Sequence, residues 1–284
     1  MAETRIYTLN NGEKGVEENR LSYQHRAFWK LTKTLIPANI KSHLESLGRA
    51  PAVADVGAGT GVWLRDFAPE LSGDARLDGY DIDESKFLGH EHLPSNVKLN
   101  FGDVFKPFPP ELIGQYDLVH VRLLMVALKA DEWEPAARNL RTLLRPGGYI
   151  LWDETGFTKF NATPITEAYQ KWISTDVRYA LSVGRDVSSP MQLEGHLRRA
   201  GYVECSHQDF SSFSETPDVQ RIAGTAVVNY ARQSLNGIAS RGQFEWIYSH
   251  DDVERHCAKL QSEVDDGTAV MGLEMRWTIG RNPA

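Results

Sequence analysis

The sequence predicts an α/β fold: a doubly wound, mostly parallel sheet of seven strands, with helical lid elements from the N- and C-terminal parts of the chain. Three observations predict it. Between residues 51 and 154, short β-branched runs alternate with amphipathic helical patterns, which argues for a parallel sheet with helices on both faces. A glycine turn, Gly57-Ala58-Gly59-Thr60-Gly61, joins the first such run to a helical pattern. The chain has 284 residues, 41% hydrophobic and 24% charged, enough to bury a large core.

Taken in order, Asn10–Gly15 reads as a turn. Glu17–Leu35 has helical periodicity, with Leu21, Phe28, Leu31 and Leu35 near one face and Gln24 and His25 close by. Pro37 breaks the pattern, and Ile40–Leu47 makes a second short helix. The core then runs as strand Val53–Val56, helix Val62–Leu71, strand Arg76–Asp83, a short break at Glu84–Gly89, and strands Val97–Phe101 and Tyr116–Val121. Helix Asp131–Leu144 meets a stop in Arg145-Pro146-Gly147-Gly148, and strand Tyr149–Trp152 follows. Further on come helices Thr166–Leu181 and Ser189–Ala200, a strand at Tyr202–Phe213, helices Asp218–Asn236 and Gln243–Val264, and a last strand at Met271–Gly280. Residues 1–50 are expected to form an N-terminal helical lid. Residues 51–284 are expected to form one ligand-binding domain with helical insertions at 155–200 and 214–268.

Composition narrows the function. The net charge of −7 argues against a nucleic-acid partner, which calls for a basic surplus. Cys205 and Cys257 are far apart and in no C-x-x-C arrangement, so neither a disulfide framework nor a cysteine-built zinc site is expected. The start M-A-E-T-R lacks the basic-then-apolar pattern of a signal peptide. The apolar run Leu123–Leu128 is too short to span a bilayer. The expectation is a cytoplasmic protein, monomer or homodimer, acting on a small molecule away from membranes and nucleic acid.

The chemistry concentrates at strand ends. Asp55 closes the first strand, and the glycines follow as G-x-G-x-G. A dinucleotide site calls for G-x-G-x-x-G; here Val62 stands where its third glycine belongs. Asp81 ends the second strand in G-Y-D-I-D and could accept both ribose hydroxyls of an adenosine. A loop-start aspartate is the alternative, and Asp83 is the neighbouring competitor. Asp103 follows the third strand in F-G-D-V-F, where it could accept an adenine amine while Gly102 and Val104 offer backbone and an apolar edge; a loop-capping role is the alternative. Ligands of open α/β sheets bind at the carboxyl ends of strands, so these acids are expected around one crevice.

D-V-G-A-G-T-G-V-W, G-Y-D-I-D, G-D-V-F, Y-D-L-V-H-V-R and L-L-R-P-G-G-Y-I-L-W-D-E together resemble the core of a class I S-adenosylmethionine (SAM) dependent methyltransferase. Trp63 directly after the turn, the short segment leading to L-P-S-N-V, and the opening Y-T-L with E-N-R-L-S-Y-Q-H resemble the fungal secondary-metabolism group that includes the LaeA-type regulator. The resemblance covers residues 17–155 well and is thin beyond. It implies SAM as cofactor, held by Gly57, Gly59, Asp81 and Asp103 within a motif that includes Asp55 and Gly61. It implies methyl transfer to a small metabolite, with no metal ion. Two alternatives keep the fold: cyclisation or rearrangement with SAM as a fixed charge, and a SAM-binding regulator.

The resemblance also places His120 where SAM and acceptor meet. His120 could orient an acceptor or take a proton, or be a core histidine hydrogen-bonded below the site. Arg122 shares its face and reads as structural. The family's N-terminal helix commonly covers the pocket, so Tyr23 and His25 could contact the sulfonium or the acceptor; a buried packing face is the alternative. Trp29, Tyr149 and Trp152 could wall an aromatic pocket or sit in the core. Asp153 and Glu154 are either a general base at the sheet edge or helix-start acids. His90 and His92 lack a third metal ligand and read as a solvated loop, and His250 reads as a helix start.

Overall fold

The computed structural model describes residues 14–156 and 159–284. Its elements are α1 (Lys14–Thr32), α2 (Ala38–Glu45), β1 (Ala52–Val56), α3 (Val62–Phe67), β2 (Arg76–Asp81), β3 (Val97–Phe101), β4 (Tyr116–Arg122), α4 (Trp133–Leu143), β5 (Leu144–Glu154), β6 (Phe160–Thr163), α5 (Glu167–Ser182), α6 (Ser189–Arg199), β7 (Val203–Ser211), α7 (Pro217–Ala239), α8 (His250–Asp265) and β8 (Val270–Arg281). The strands run in the order β3-β2-β1-β4-β5-β8, with β7 on the far side of β8. β1 to β5 are parallel and β8 is antiparallel. These are the seven strands expected from the sequence.

An eighth strand was not anticipated. β6 pairs with Val270–Leu273, the first part of β8, while β5 pairs with Arg276–Arg281. β6 therefore resumes, along β8, the line that β5 leaves at Glu154. Four residues of alternating burial are too short a pattern to stand out in sequence.

The chain steps outward from β1 to β3, then crosses back to the other side of β1 to form β4. This reversal opens a crevice at the carboxyl ends of β1 and β4, the usual place for a ligand in an open sheet. β1 is buried along its whole length, as a central parallel strand must be. Along β4 the faces alternate with period two. Val119 and Val121 join a core with Trp133, Ala137 and Leu140 of α4. Leu118 joins the opposite core with Trp63, Leu64 and Phe67 of α3.

Among the boundaries that differ from the sequence reading, three have a visible cause. α1 ends at Thr32 rather than Leu35, because Lys33 turns left-handed (φ 64°) and the Thr32 hydroxyl donates back to the Phe28 carbonyl (3.0 Å). α8 begins at His250 rather than Gln243. Ser249 and Asp252 form a reciprocal capping box there, which fixes the helix start, while Phe244 and Ile247 upstream form an isolated bridge. Arg145–Gly148 does not separate helix from strand but lies inside β5, where the register shifts between Tyr116 and Leu118; proline is tolerated at such an irregularity because no ladder donor is needed. The turn read at Asn10–Gly15 lies mostly outside the described residues, and α1 already contains its last two.

Candidate active site

The glycine turn leaves β1 beneath the end of β2. The amides of Gly57 and Ala58 both donate to the Tyr80 carbonyl, at 2.8 and 3.0 Å. The Gly59 amide donates to Asp81 Oδ2 at 2.8 Å. Gly59 has φ 56° and Gly61 φ 84°, where side chains are strained. Their reasons differ. Gly59 lines the cavity, whereas Gly61 starts α3 outside its wall, and a Cβ there would meet Leu99 at 2.9 Å. Gly61 serves packing between α3 and β3.

A cavity of about 1330 Å³ lies over this turn. Asp55, Gly57, Gly59, Asp81, Gly102, Asp103, Val104 and His120 all line it, so the topology brings the three strand-end acids together. Asp81 Oδ1 also accepts from the Asp83 amide at 2.9 Å. Burial raises the Asp81 pKa despite its two backbone donors. Asp103 Oδ1 accepts from the Phe105 amide at 2.9 Å. Among the wall residues that sequence reasoning missed are Ile82 and Thr60. Ile82 keeps 52% of its surface exposed beside Asp81; an apolar residue between two strand-end acids was the readable signal. Thr60 is buried with its hydroxyl unpartnered, which no local pattern announced.

His120 forms the cavity floor in a buried ion network. Its Nδ1 lies 2.7 Å from Asp55 Oδ1, its Nε2 lies 3.3 Å from Asp153 Oδ2, and its ring stacks on Trp63 with centroids 3.8 Å apart. Registry explains the grouping, because Asp55 pairs with His120 across β1 and β4, and Arg122 pairs with Asp153 across β4 and β5. Burial opposes charge on the imidazole, but the two carboxylates outweigh it and raise the pKa. With a carboxylate at each nitrogen, the ring turns neither of them toward the cavity. We propose that His120 serves as the core histidine of the alternative reading rather than as a general base.

His25 lies off the cavity wall and is 2% exposed. Its Nδ1 accepts from Arg122 at 3.2 Å, and its Nε2 lies 3.2 Å from Asp66 Oδ2. Burial lowers its pKa, and Arg122 adds to that effect against Asp66. The ring, bonded to Arg122 through Nδ1 and with Nε2 near Asp66, lies between α3 and Arg122, which does line the cavity. Tyr23 is half-buried on α1 and also lies outside the cavity wall. Trp152 is core, Tyr149 packs edge-on against His43, and Trp29 stays 41% exposed. His90 and His92 sit on one 3-10 turn; among the described residues no three His, Cys, Asp or Glu cluster as a metal site. His250 opens α8 as read.

Asp153 and Glu154 end β5 and do not start a helix. Glu154 is fully buried. Its Oε1 accepts from the Leu124 amide (2.7 Å) and the Trp152 indole (2.9 Å), which holds the turn after β4 against β5. Burial pushes its pKa from 4.5 up to about 8. A proton kept by the folded state and lost by the unfolded one makes stability fall as pH rises across that interval. Glu154→Gln, which copies the protonated form, is expected to remove part of this fall. In urea unfolding at pH 5.5 and 8.5, the variant should gain on wild type at the higher pH by a few kcal/mol. His120 has the same sign but is common to both proteins. Parallel pH dependences would refute the assignment.

Residues 54–150 match a methyltransferase domain family. A methyltransferase of a Penicillium species, grgD, is 38% identical over 157 residues, 52% of each chain. The N-methyltransferase tcpN of Claviceps purpurea is 27% identical over 190 residues, 66% of each chain. The matches thus span about half to two thirds of these relatives. Among solved structures, a phosphoethanolamine N-methyltransferase of Haemonchus contortus in complex with SAM superimposes with a TM-score of 0.56 at 14% identity, covering all of this chain and 61% of that one. Its likeness concerns the fold. Sheet order, glycine turn and strand-end acids agree with these matches: residues 54–150 are similar to a methyltransferase domain, set in a doubly wound α/β fold.

Proposed function

We propose that this protein transfers the methyl group of SAM to a small-molecule acceptor, a fungal secondary metabolite or its precursor. The observation that carries the reading is the meeting of Asp55, Asp81 and Asp103 with bare glycine backbone in one cavity. The residues fit the cofactor. Each Asp81 oxygen has capacity left beyond its backbone donor and would take a ribose hydroxyl. Asp103 would take the adenine amine between the apolar edges of Ile82 and Val104. The unpartnered Thr60 hydroxyl and the open face of Gly59 would meet the amino-acid end. When bound, SAM supplies a methyl group already activated by its sulfonium charge.

The chain's own work is then to position and desolvate. Leu21, Gln24 and Phe28 of α1 line the cavity, which supports a lid role for residues 1–50 over the domain at 51–284. The His120 imidazolium ties the ends of β1, β4 and β5 together, so the floor keeps its shape as the cavity fills. The relatives support a metabolite acceptor. No described helix is long and apolar enough to cross a membrane. Both cysteines are free, which fits the reducing cytoplasm; a monomer or homodimer is part of the same proposal.

Isothermal titration with SAM, S-adenosylhomocysteine and NAD tests the reading. Both SAM compounds are expected to bind, and tighter binding of NAD would overturn it. Asp81→Ala should weaken SAM binding by roughly ten- to a hundred-fold, the usual loss for a charge-assisted hydrogen bond. Unchanged affinity in a folded variant would move the role to Asp83.

A further inference from the structure

The cavity is larger than the glycine turn and its acids require, and its remaining wall has a different character. Phe28, Met125, Phe160, Ala226, Tyr230 and Leu273 line it, from α1, the turn after β4, β6, α7 and β8. Phe160 and Tyr230 pack with ring centroids 4.9 Å apart. A polar pair stands behind this apolar stretch of the wall. Asp176 of α5 is 3% exposed and accepts hydrogen bonds from the Tyr230 hydroxyl, at 3.1 Å, and from Ser234. Burial raises the Asp176 pKa, against which Arg185, also on the wall, adds its charge. A carboxylate taken out of water costs stability unless its partners compensate. Here its partners include a tyrosine that faces the cavity. The hydroxyl hydrogen of Tyr230 is committed to Asp176, so its oxygen is left to receive a donor.

We propose that Tyr230, oriented by Asp176, holds the acceptor, and that the acceptor is a largely apolar, ring-bearing molecule that presents an O–H or N–H group to the Tyr230 oxygen. The assignment rests on the methyl-transfer reading and adds to it the acceptor's chemical class. The aromatic wall supplies most of the binding surface, and one hydrogen bond selects the molecule whose heteroatom still carries its hydrogen. A methylated hydroxyl or secondary amine lacks that donor and loses the contact, which favours its release; a primary amine keeps one N–H after a single transfer.

Calorimetric titration of the S-adenosylhomocysteine-loaded protein with α-naphthol, α-naphthylamine and α-methoxynaphthalene tests this. The first two are expected to bind about tenfold tighter than the methoxy compound, and the better of them identifies oxygen or nitrogen as the preferred donor. Tyr230→Phe keeps the ring packing and should erase the preference while leaving S-adenosylhomocysteine affinity unchanged. Asp176→Asn, with Tm measured alongside, should weaken it. Equal binding of all three probes to the wild type, or a preference that survives Tyr230→Phe, overturns the proposal. Failure to bind S-adenosylhomocysteine overturns instead the cofactor reading on which it rests, and the naphthalene titrations without that ligand still read the wall.

Discussion

His120→Ala is expected to destabilise the protein by about 3–5 kcal/mol, the range for breaking a buried ion network by removing one partner. Asp55 and Asp153 are 2% and 3% exposed, and both face the imidazole. Without it, two carboxylates remain in the core with one counter-charge nearby, Arg122. The stack on Trp63 is lost as well, leaving a void between β4 and α3. Against a total stability of about 5–15 kcal/mol, this threatens folding. Urea unfolding at neutral pH measures it, and a loss below about 1 kcal/mol would show that the network is not a cation between two anions. Asp153→Asn in the same chain should restore part of the loss, because it removes one of the stranded charges.

Gly59→Val should abolish SAM binding, with affinity falling more than about a hundred-fold, in a protein that still folds. The backbone at Gly59 has φ 56°, and an added Cβ would stand 3.3 Å from Leu21 Cδ1, on the side where α1 meets the cavity. Valine adds two branches in the same space and is strained at this φ, at a cost of about 1–3 kcal/mol. The Gly59 amide also holds Asp81 Oδ2, so a shift of the turn would carry with it the carboxylate proposed to hold the ribose. Gly59→Ala should fall between the two. A folded Gly59→Val that keeps SAM affinity within threefold of wild type would place the cofactor elsewhere.

Much of the fold was readable because its signals are local. The β-branched runs that became β1 to β5 bury one or both faces, and burial on a strand leaves a short apolar pattern whichever neighbours it finally pairs with. β3 was read at its observed limits. β6 was not seen, because its reason to exist is the first half of β8, more than a hundred residues away. The N-terminal limit of α8 was misplaced because the apolar residues before Ser249 continue a helical pattern, whereas the capping box stops it.

The site divides in the same way. The glycine spacing and the acids at three successive strand ends follow from sequence, because a parallel sheet with crossovers of one hand must deliver its strand ends to one edge. What each histidine does could not be read there. The His120 pKa is raised between two carboxylates and the His25 pKa is lowered by burial, and the difference comes from which charges register and packing place around each ring. The same holds for Glu154, whose proton is kept by burial, and for Tyr230 and Asp176, which stand 54 residues apart and meet only because α5 and α7 close over the sheet. Sequence by itself determined the topology and the cofactor-facing edge, since both depend on periodicity and chain order. Only the tertiary structure decided protonation and the acceptor wall, since both depend on the dielectric and on the neighbours that folding assembles.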